Sequence, residues 1–462
     1  MTGADHYQAI IIGSGQGGNP LARALAEAGW RTAVIEREHV GGTCINEGCT
    51  PTKTMVASAR VAYLTGRSGD YGVQHGDVQI DMRRVLQRKR DIVASFRDGG
   101  QRRLEKTANL ELVFGEASFA SAKSMVVREK DVGSRAVTAE KIFVNAGARP
   151  GVPKLDGLKD VPYLNSTTMM EVDAVPEHLL ILGGGYIGVE FGQMFRRFGS
   201  RVTIVHRRGE LLRGEDSDVA QEIAAILKQD GVEVLLNASP ERVSKSSGTI
   251  RVSARVGDTP QILEGSHLLV ATGRVPNSDT LNLSAAGIAT DKRGFIQVND
   301  KLETSVPGVY ALGDINGGPA FTHISYDDYR ILRGNLLEKG SASTKGRLVP
   351  YTVFMDPQLG RIGMTETQAR AEGRKIRVAK MPMSHVARAL EVDESRGFMK
   401  AVVDEETEQI LGAAILGLEG GELMAMLEIA MMGKLRYSVL REAIFAHPTL
   451  AEAFNNLFAS VH

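Results

Sequence analysis

Cys44 and Cys49 are the only cysteines in a chain of 462 residues. A structural disulfide between residues this close would close a very small loop and constrain little chain entropy. In a reducing compartment, close cysteines serve redox or metal chemistry instead. Metal binding is the weaker reading, because no second Cys or His cluster lies nearby and no metal site is expected. Redox chemistry of the pair is the stronger reading. A helical pattern follows the pair, from Thr54 to Leu64. Cysteines at a helix N-terminus have lowered thiolate pKa values, because the dipole favours the anion.

The elements that position this pair form a unit that occurs twice. The first copy is an apolar run from Tyr7 to Ile12, the turn Gly13-Ser14-Gly15-Gln16-Gly17-Gly18, a helical run to Gly29, and a second strand ending at Glu36. The second copy is Leu179 to Leu182, then Gly183-Gly184-Gly185-Tyr186-Ile187-Gly188, a helix to Gly199, and a strand ending at His206. A lone GxGxxG is weak evidence; strand, glycine turn, helix and strand together confirm it. Such glycines let backbone approach a pyrophosphate, whose charge the helix N-terminus favours. Both copies also end alike, in Ile142–Pro150 and Leu268–Pro276. Two dinucleotide-binding domains in series are expected, and the cysteines follow the first closely.

The strand ends distinguish the ligands. Glu36 suits the ribose hydroxyls of an unphosphorylated adenosine, as in FAD or NAD. His206 is followed by Arg207, Arg208 and Arg213, and guanidinium groups bind a 2′-phosphate where a carboxylate would repel it. The second site therefore reads as one for NADPH, with NADH as an alternative donor. The competing reading is a solvated basic turn, with Glu210 and Glu215 beside it. Asp314, after the strand Val309–Leu312, is either a carboxylate for cofactor hydroxyls or an ordinary turn residue.

Lysine plus arginine equals aspartate plus glutamate at 55 each, which gives no support for a nucleic-acid partner. No apolar run approaches a membrane span, and the polar start from Met1 to Gln8 does not resemble a signal peptide, so no membrane partner and a cytoplasmic location are expected. From about Leu348 the texture changes. Phe398–Val403 and Ile410–Ile415 read as an antiparallel hairpin, followed by helices around Glu422–Met432 and Ser438–Phe445. Met424, Met426, Met431 and Met432 line the first of these, as core or as an interface.

Gly41-Gly42-Thr43-Cys44-x4-Cys49-x-Pro51-x-Lys53 resembles the active-site signature of the pyridine nucleotide–disulfide oxidoreductases, which include glutathione reductase, dihydrolipoamide dehydrogenase and mercuric reductase. The resemblance spans essentially the whole chain. It implies an α/β architecture of two Rossmann-like domains, for FAD and NAD(P)H, and a C-terminal α+β dimerisation domain. The implied domains are 1–150 for FAD, 151–275 for NAD(P)H, a central domain at 276–345 that completes the FAD site, and 346–462 for dimerisation.

By position, the resemblance implies that Cys49 faces the flavin as the charge-transfer thiolate and that Cys44 is the interchange thiol. Lys53 and Glu190 match the ion pair beside the flavin, and Tyr186 the residue that gates the nicotinamide pocket. Asp314 matches the ribityl-binding aspartate, and Arg207 and Arg213 the 2′-phosphate arginines. FAD contacts are implied at Gly13, Gly15, Gly18, Glu36, Gly42, Thr43, Lys53, Ala117, Gly147, Asp314 and Thr322. NADPH contacts are implied at Gly183, Gly185, Tyr186, Ile187, Gly188, Glu190, Arg207, Arg213 and Gly273. His447 and Glu452 look like the family's base and its orienting carboxylate, which normally reach the partner subunit's cysteines, so a homodimer is implied. A histidine near neutrality can shuttle the Cys44 proton.

Within the family, the mercuric branch is disfavoured. The end Phe458–His462 has no vicinal cysteines, no metal-binding domain precedes the glycine turn, and His447 stands where that branch typically carries Tyr. Arg207 and Arg213 disfavour dihydrolipoamide dehydrogenase, and no stretch identifies a glutathione pocket. The segment from Gly317 to Arg330, with His447-Pro448-Thr449 and Asn455–Phe458, is similar to the reactive-chlorine-resistance flavoproteins. That branch reduces hypothiocyanous acid and has been linked to Cu(II) reduction. His323 departs from it, since an aromatic residue often stands there. The expected activity is NADPH-dependent reduction of a small oxidised-sulfur species, a disulfide or an oxidant. From another class, a flavin-bound redox sensor with slow turnover stays open.

Overall fold

The computed structural model describes residues 5–129 and 132–461; Met1 to Ala4, at the head of the polar start, and His462, at the chain's end, lie outside them. The chain divides into two compact units. The first takes in the chain up to Thr54, then Arg84–Gly151 and Gly273–Arg347; the second comprises Met55–Arg83, Val152–Thr272 and the chain from Leu348 onward.

In the first unit, β1 (Asp5–Ile12) leads through the glycine turn into α1 (Gly18–Glu27) and back to β2 (Thr32–Glu36). The redox segment follows as α2 (Gly42–Asn46) and the start of α3 (Cys49–Gly66). The strands β3 (Leu110–Ser121), β4 (Ser124–Glu129) and β5 (Gly133–Val144) come after α4 (Met82–Glu105). Parallel pairing runs β3–β2–β1–β5–β15, where β15 is Val309–Ala311. β4 bridges β3 and β5 as an antiparallel meander. All five residues of β2 are buried, as a strand covered on both faces requires. Alternation sorts the faces. Ile10, Ile12, Ile35 and Val144 pack in one cluster, while Ile11, Val34 and Phe143 pack with Leu21 and Leu25 of α1 in another. Short strands β6 (Ala148–Pro150) and β14 (Arg274–Pro276) pair antiparallel. α7 (Thr322–Leu337) closes this unit.

The second unit repeats the plan. β7 (His178–Leu182), α5 (Tyr186–Phe198), β8 (Arg201–Val205), α6 (Ser217–Gln229), β9 (Val232–Leu235) and β13 (His267–Val270) give a parallel sheet in the order β13–β7–β8–β9. A three-stranded antiparallel sheet, β10 (Ala238–Ser246), β11 (Thr249–Val256) and β12 (Thr259–Gly265), packs on it. The remainder is a five-stranded antiparallel sheet of β16 (Tyr351–Val353), β17 (Gln358–Gly363), β20 (Ile410–Gly417), β19 (Phe398–Asp404) and β18 (Ile376–Pro382). Its helices are α8 (Glu366–Ala371), α9 (Ala387–Glu391), α10 (Gly420–Met432), α11 (Tyr437–Arg441) and α12 (Ala453–Ala459). The hairpin and the methionine-rich helix form as the sequence suggests. The following helix is shorter than the expected 438–445 and stops at Arg441. Beyond it, Asn455 Nδ2 donates to the carbonyls of Leu440, Arg441 and Ala443, so a side chain takes up acceptors that a longer helix would have used.

A buried charge cluster centres on Asp216. Asp216 accepts the backbone N–H groups of Glu366 and Thr367 at the start of α8, both at 3.0 Å, the Thr367 hydroxyl at 2.7 Å, and Lys400 Nζ at 3.0 Å. Burial pushes its pKa up, but these donors outweigh burial and hold it at about 2, against an ordinary 3.8. A carboxyl depressed in the fold stabilises it above the unfolded value, and that contribution is lost as pH falls through the folded one. Asp216→Asn is therefore expected to lower Tm at neutral pH and to flatten the fall of Tm between about pH 4 and pH 2. Parallel melting curves for the two proteins across that window would refute this assignment.

Candidate active site

The two glycine turns are built alike. A Cβ on Gly13 would meet the Asn145 carbonyl at 2.5 Å, and one on Gly183 the Ala271 carbonyl at 2.3 Å. A Cβ on Gly18 would strike the Gly13 carbonyl at 2.3 Å, and one on Gly188 the Gly183 carbonyl at 2.0 Å. These four glycines let turn, helix and neighbouring strand pack together. Gly185, Gly147 and Gly273 face open space instead, with nothing within 4 Å of a Cβ, as backbone that a ligand approaches requires. Asn145 Oδ1 lies 3.0 Å from the Cβ position of Gly15, accepts the Gly18 N–H at 2.8 Å, and the same side chain donates to the Leu312 carbonyl at 3.0 Å. The sequence repeat pairs Asn145 with an alanine, Ala271, so its role showed only in the structure.

The redox segment lies directly on the first turn. A Cβ on Gly42 would fall 2.7 Å from the Gly15 Cα. Ser14 ties three features together. Its N–H and hydroxyl donate to Glu36 Oε2 at 2.9 and 2.7 Å, and it receives the Gly41 N–H at 3.1 Å. The adenosine-reading carboxylate, the glycine turn and the cysteine loop thus share one hydrogen-bonded joint. Asn46, between the cysteines, donates to the Val40 and Gly42 carbonyls at 3.1 and 3.0 Å and accepts Arg97 Nε at 2.7 Å. Neither Ser14 nor Asn46 stood out in the sequence, because short polar residues in loops carry no periodic signal.

Cys49 is the first residue of α3, which begins earlier than the pattern from Thr54 suggests; Pro51 is tolerated in a first turn. No disulfide joins the thiols; Cys49 is exposed and Cys44 partly buried. The Thr322 hydroxyl, at the first position of α7, lies 3.3 Å from Cys49 Sγ. The expectation of two acidified thiols fails for Cys44. Its hydrogen bond with Cys49, and then burial, push its pKa well above the ordinary thiol value, and Thr322 and the Lys53 ammonium oppose this only in part. The dipole argument does not reach Cys44, because α2 has only five residues and an N-terminus at Gly42.

The remaining FAD positions in this unit are set as follows. Thr43 lies in α2, and Ala117 is buried in β3. Asp314 sits in a single 3-10 turn after β15, its carboxyl pushed up by burial and held back in part by Arg274. Asp328 supports that turn, accepting the Gly313 N–H at 2.9 Å and Arg347 Nη1 at 2.6 Å. Gly273 also belongs to the first unit, although the sequence assigns it to NADPH; its carbonyl accepts the Gly151 N–H at 2.9 Å.

In the second unit, Tyr186 opens α5 and is 39% exposed, with Ile187 next to it. Glu190 is buried in the same helix and accepts the Phe354 N–H at 2.8 Å. His206 Nδ1 accepts the Gly184 N–H at 3.1 Å, and burial, then its neighbouring arginines, push its pKa down, so it is neutral. Arg207, Arg208 and Arg213 are exposed, and among the described residues no carboxylate pairs with them. Glu215 is turned away from them, bonded to Tyr351 and to Arg361 Nε at 3.2 Å. His447 Nδ1 lies 2.8 Å from Glu452 Oε2, and the His447 side chain is 70% exposed. An Nδ1–H donated to that carboxylate leaves Nε2 as a proton acceptor.

The chain matches known proteins over nearly its whole length. The family described as pyridine nucleotide-disulphide oxidoreductase matches residues 7–328, and that family's dimerisation domain matches residues 349–458. The chain belongs to the pyridine nucleotide-disulphide oxidoreductase family; it is an oxidoreductase that uses FAD and NAD(P)H. Among individual proteins, it is 42% identical to the probable pyridine nucleotide-disulfide oxidoreductase RclA of Escherichia coli, over 98% of this chain and 99% of that one. The solved HOCl-induced flavoprotein disulfide reductase RclA from Escherichia coli superposes with a TM-score of 0.90 at 41% identity, covering 99% of this chain and 100% of that one. A mercuric reductase of Lysinibacillus sphaericus is 33% identical over 97% of this chain and 81% of its own length. No helix among the described residues is long and apolar enough to cross a membrane.

Proposed function

We propose that the chain is an NADPH-dependent reductase of a small oxidised-sulfur species or oxidant, with hypothiocyanous acid as the leading substrate. The observation that carries this is the asymmetry of the cysteine pair: a partly buried Cys44, its pKa pushed up by its hydrogen bond with Cys49 and by burial, beside an exposed Cys49 that leads a helix and meets the Thr322 hydroxyl. When bound, FAD and NADPH supply the two electrons that return the Cys44–Cys49 disulfide to the dithiol. Gly13, Gly15, Gly18, Glu36, Gly42, Thr43, Lys53, Ala117, Gly147, Asp314 and Thr322 would hold the flavin. Gly183, Gly185, Tyr186, Ile187, Gly188, Glu190 and Gly273 would hold the nicotinamide cofactor, with Arg207 and Arg213 on its 2′-phosphate.

His447, oriented by Glu452 and supplied by the second subunit of a homodimer, takes the Cys44 proton. The Cys44 thiolate then attacks the sulfur of hypothiocyanous acid and displaces hydroxide, which leaves as water with the proton from His447. Cys49 gives up its own proton to the now neutral His447 or to solvent, attacks the Cys44 sulfur of the resulting thiocyanate adduct, expels thiocyanate and closes the disulfide. The similarity to a protein described as HOCl-induced supports a role in oxidant defence. The exposed Met426, Ile429 and Met432 face of α10 supports the homodimer, and a working dithiol suits a reducing, cytoplasmic compartment. The domains at 1–150, 151–275, 276–345 and 346–462 remain our division by function.

NADPH consumption with hypothiocyanous acid, oxidised glutathione, lipoamide, Hg(II) and Cu(II) tests the acceptor. Turnover on hypothiocyanous acid is expected; its absence, with strong turnover on one disulfide, would overturn the assignment. Slow turnover on all, with fast flavin reduction, would point to a sensor. For the donor, Arg207→Gln with Arg213→Gln is expected to raise the KM for NADPH about 100-fold and leave NADH within about threefold, since charge-assisted contacts are worth about 1.5–3 kcal/mol each. An equal loss with both donors would sink the 2′-phosphate role.

A further inference from the structure

The starting ends of β7, β8 and β9 carry a polar chain that the cofactor reading does not use. His178 and Arg201 are register partners across β7 and β8, and Thr203 and Glu233 across β8 and β9. Arg201 Nη2 lies 2.6 Å from His178 Nδ1, His178 Nε2 lies 2.8 Å from Thr203 Oγ1, and Thr203 Oγ1 donates to Glu233 Oε2 at 2.7 Å. The donors run one way. Arg201 gives to Nδ1, so the proton sits on Nε2 and goes to Thr203. This suits a neutral imidazole: burial and the Arg201 charge push the His178 pKa down, against the opposing pull of the Glu264 carbonyl and of Glu233 and Glu177. His178 and Thr203 are 7% and 0% exposed and form the floor of a cleft of about 590 Å³. Ile262 and Leu263 of β12 form one wall, and Arg251 and Glu264 complete the lining. That volume falls within the usual range for small-molecule sites.

The lining charges select the ligand class. Arg251 and Glu264 satisfy each other at 2.7 Å. Arg201 is bonded to a neutral ring and Glu233 to a hydroxyl, and among the described residues neither is in an ion pair. One cation and one anion, neither in an ion pair, thus stand on adjacent strands at the two ends of the His178–Thr203 chain, beside the 68% exposed Ile262. A simple anion or cation would satisfy one and leave the other. An α-amino head group spans both, and its side chain reaches the apolar wall.

We propose that this cleft binds a small zwitterion, an α-amino acid with an aliphatic side chain, its carboxylate on Arg201 and its ammonium on Glu233. The test is calorimetric titration of the FAD-loaded protein with L-leucine, with isovalerate and isoamylamine as carboxylate-only and ammonium-only probes. Saturable L-leucine binding in the millimolar range or tighter is expected, with each single-charge probe about tenfold weaker or worse. Arg201→Gln and Glu233→Gln should each weaken L-leucine about tenfold, while flavin reduction by NADPH stays unchanged and reports an intact fold. Ile262→Asp, at an exposed position, should weaken it without touching the polar chain. No saturable binding at roughly 10 mM, isovalerate binding as tightly as L-leucine, or binding indifferent to all three substitutions would each overturn the proposal.

Discussion

Cys44→Ser is expected to lower acceptor turnover by about 10³-fold or more, because it removes the nucleophile and leaves only binding and electrostatics. Flavin reduction by NADPH should stay close to the wild-type rate. Cys44 packs against Cys49 and Thr322, and serine preserves that hydrogen-bonding position, so the folded site should survive. Stopped-flow reduction and steady-state turnover on the same preparation separate the two effects. Retained turnover would remove the cysteine mechanism.

The second large effect concerns the proton. Cys44 is pushed up by Cys49 and by burial, so at neutral pH it needs a base to become a nucleophile. His447→Ala is expected to lower turnover at neutral pH by about 10²–10⁴-fold, the usual contribution of a positioned general base. The sign of the pH dependence follows. A thiol with a raised pKa loses its proton only in alkali, so the deficit should shrink as pH rises. Glu452→Gln keeps the ring but weakens its orientation, and a smaller loss, on the order of tenfold, is expected. A His447→Ala deficit that is constant across pH would place His447 outside proton transfer.

Much of this site was legible in the sequence, for a physical reason in each case. Gly13, Gly18, Gly183 and Gly188 occupy places where a Cβ would strike backbone, so no other residue type fits and the spacing shows plainly. Glu36 ends a strand buried along its whole length, and the arginines after His206 follow another that is buried from Val202 to Val205. The cysteine pair was equally plain as a composition fact. What stayed hidden were the side chains that join these parts. Ser14, Asn46, Asn145 and Asp328 act through a few hydrogen bonds each, across 12 to 167 residues of chain or within one loop, and no periodicity records such contacts. The inequality of the thiols was also hidden. It depends on the length of α2, on burial and on Thr322, 273 residues beyond Cys49. Glu215 stood with Glu210 beside the basic turn in sequence, yet its carboxylate turns to Tyr351 and Arg361, which removes one of the two carboxylates that spoke against a 2′-phosphate there.

The central claim is that electrons pass through the Cys44–Cys49 pair, and thiol counting tests it most directly. The chain has 2 cysteines, so every thiol titrated in the denatured protein belongs to this pair. Protein quenched under denaturing conditions after one exposure to the acceptor should show no free thiol, and protein then reduced anaerobically with NADPH should show 2 per chain. Two free thiols in both states, with acceptor turnover continuing, would contradict the account.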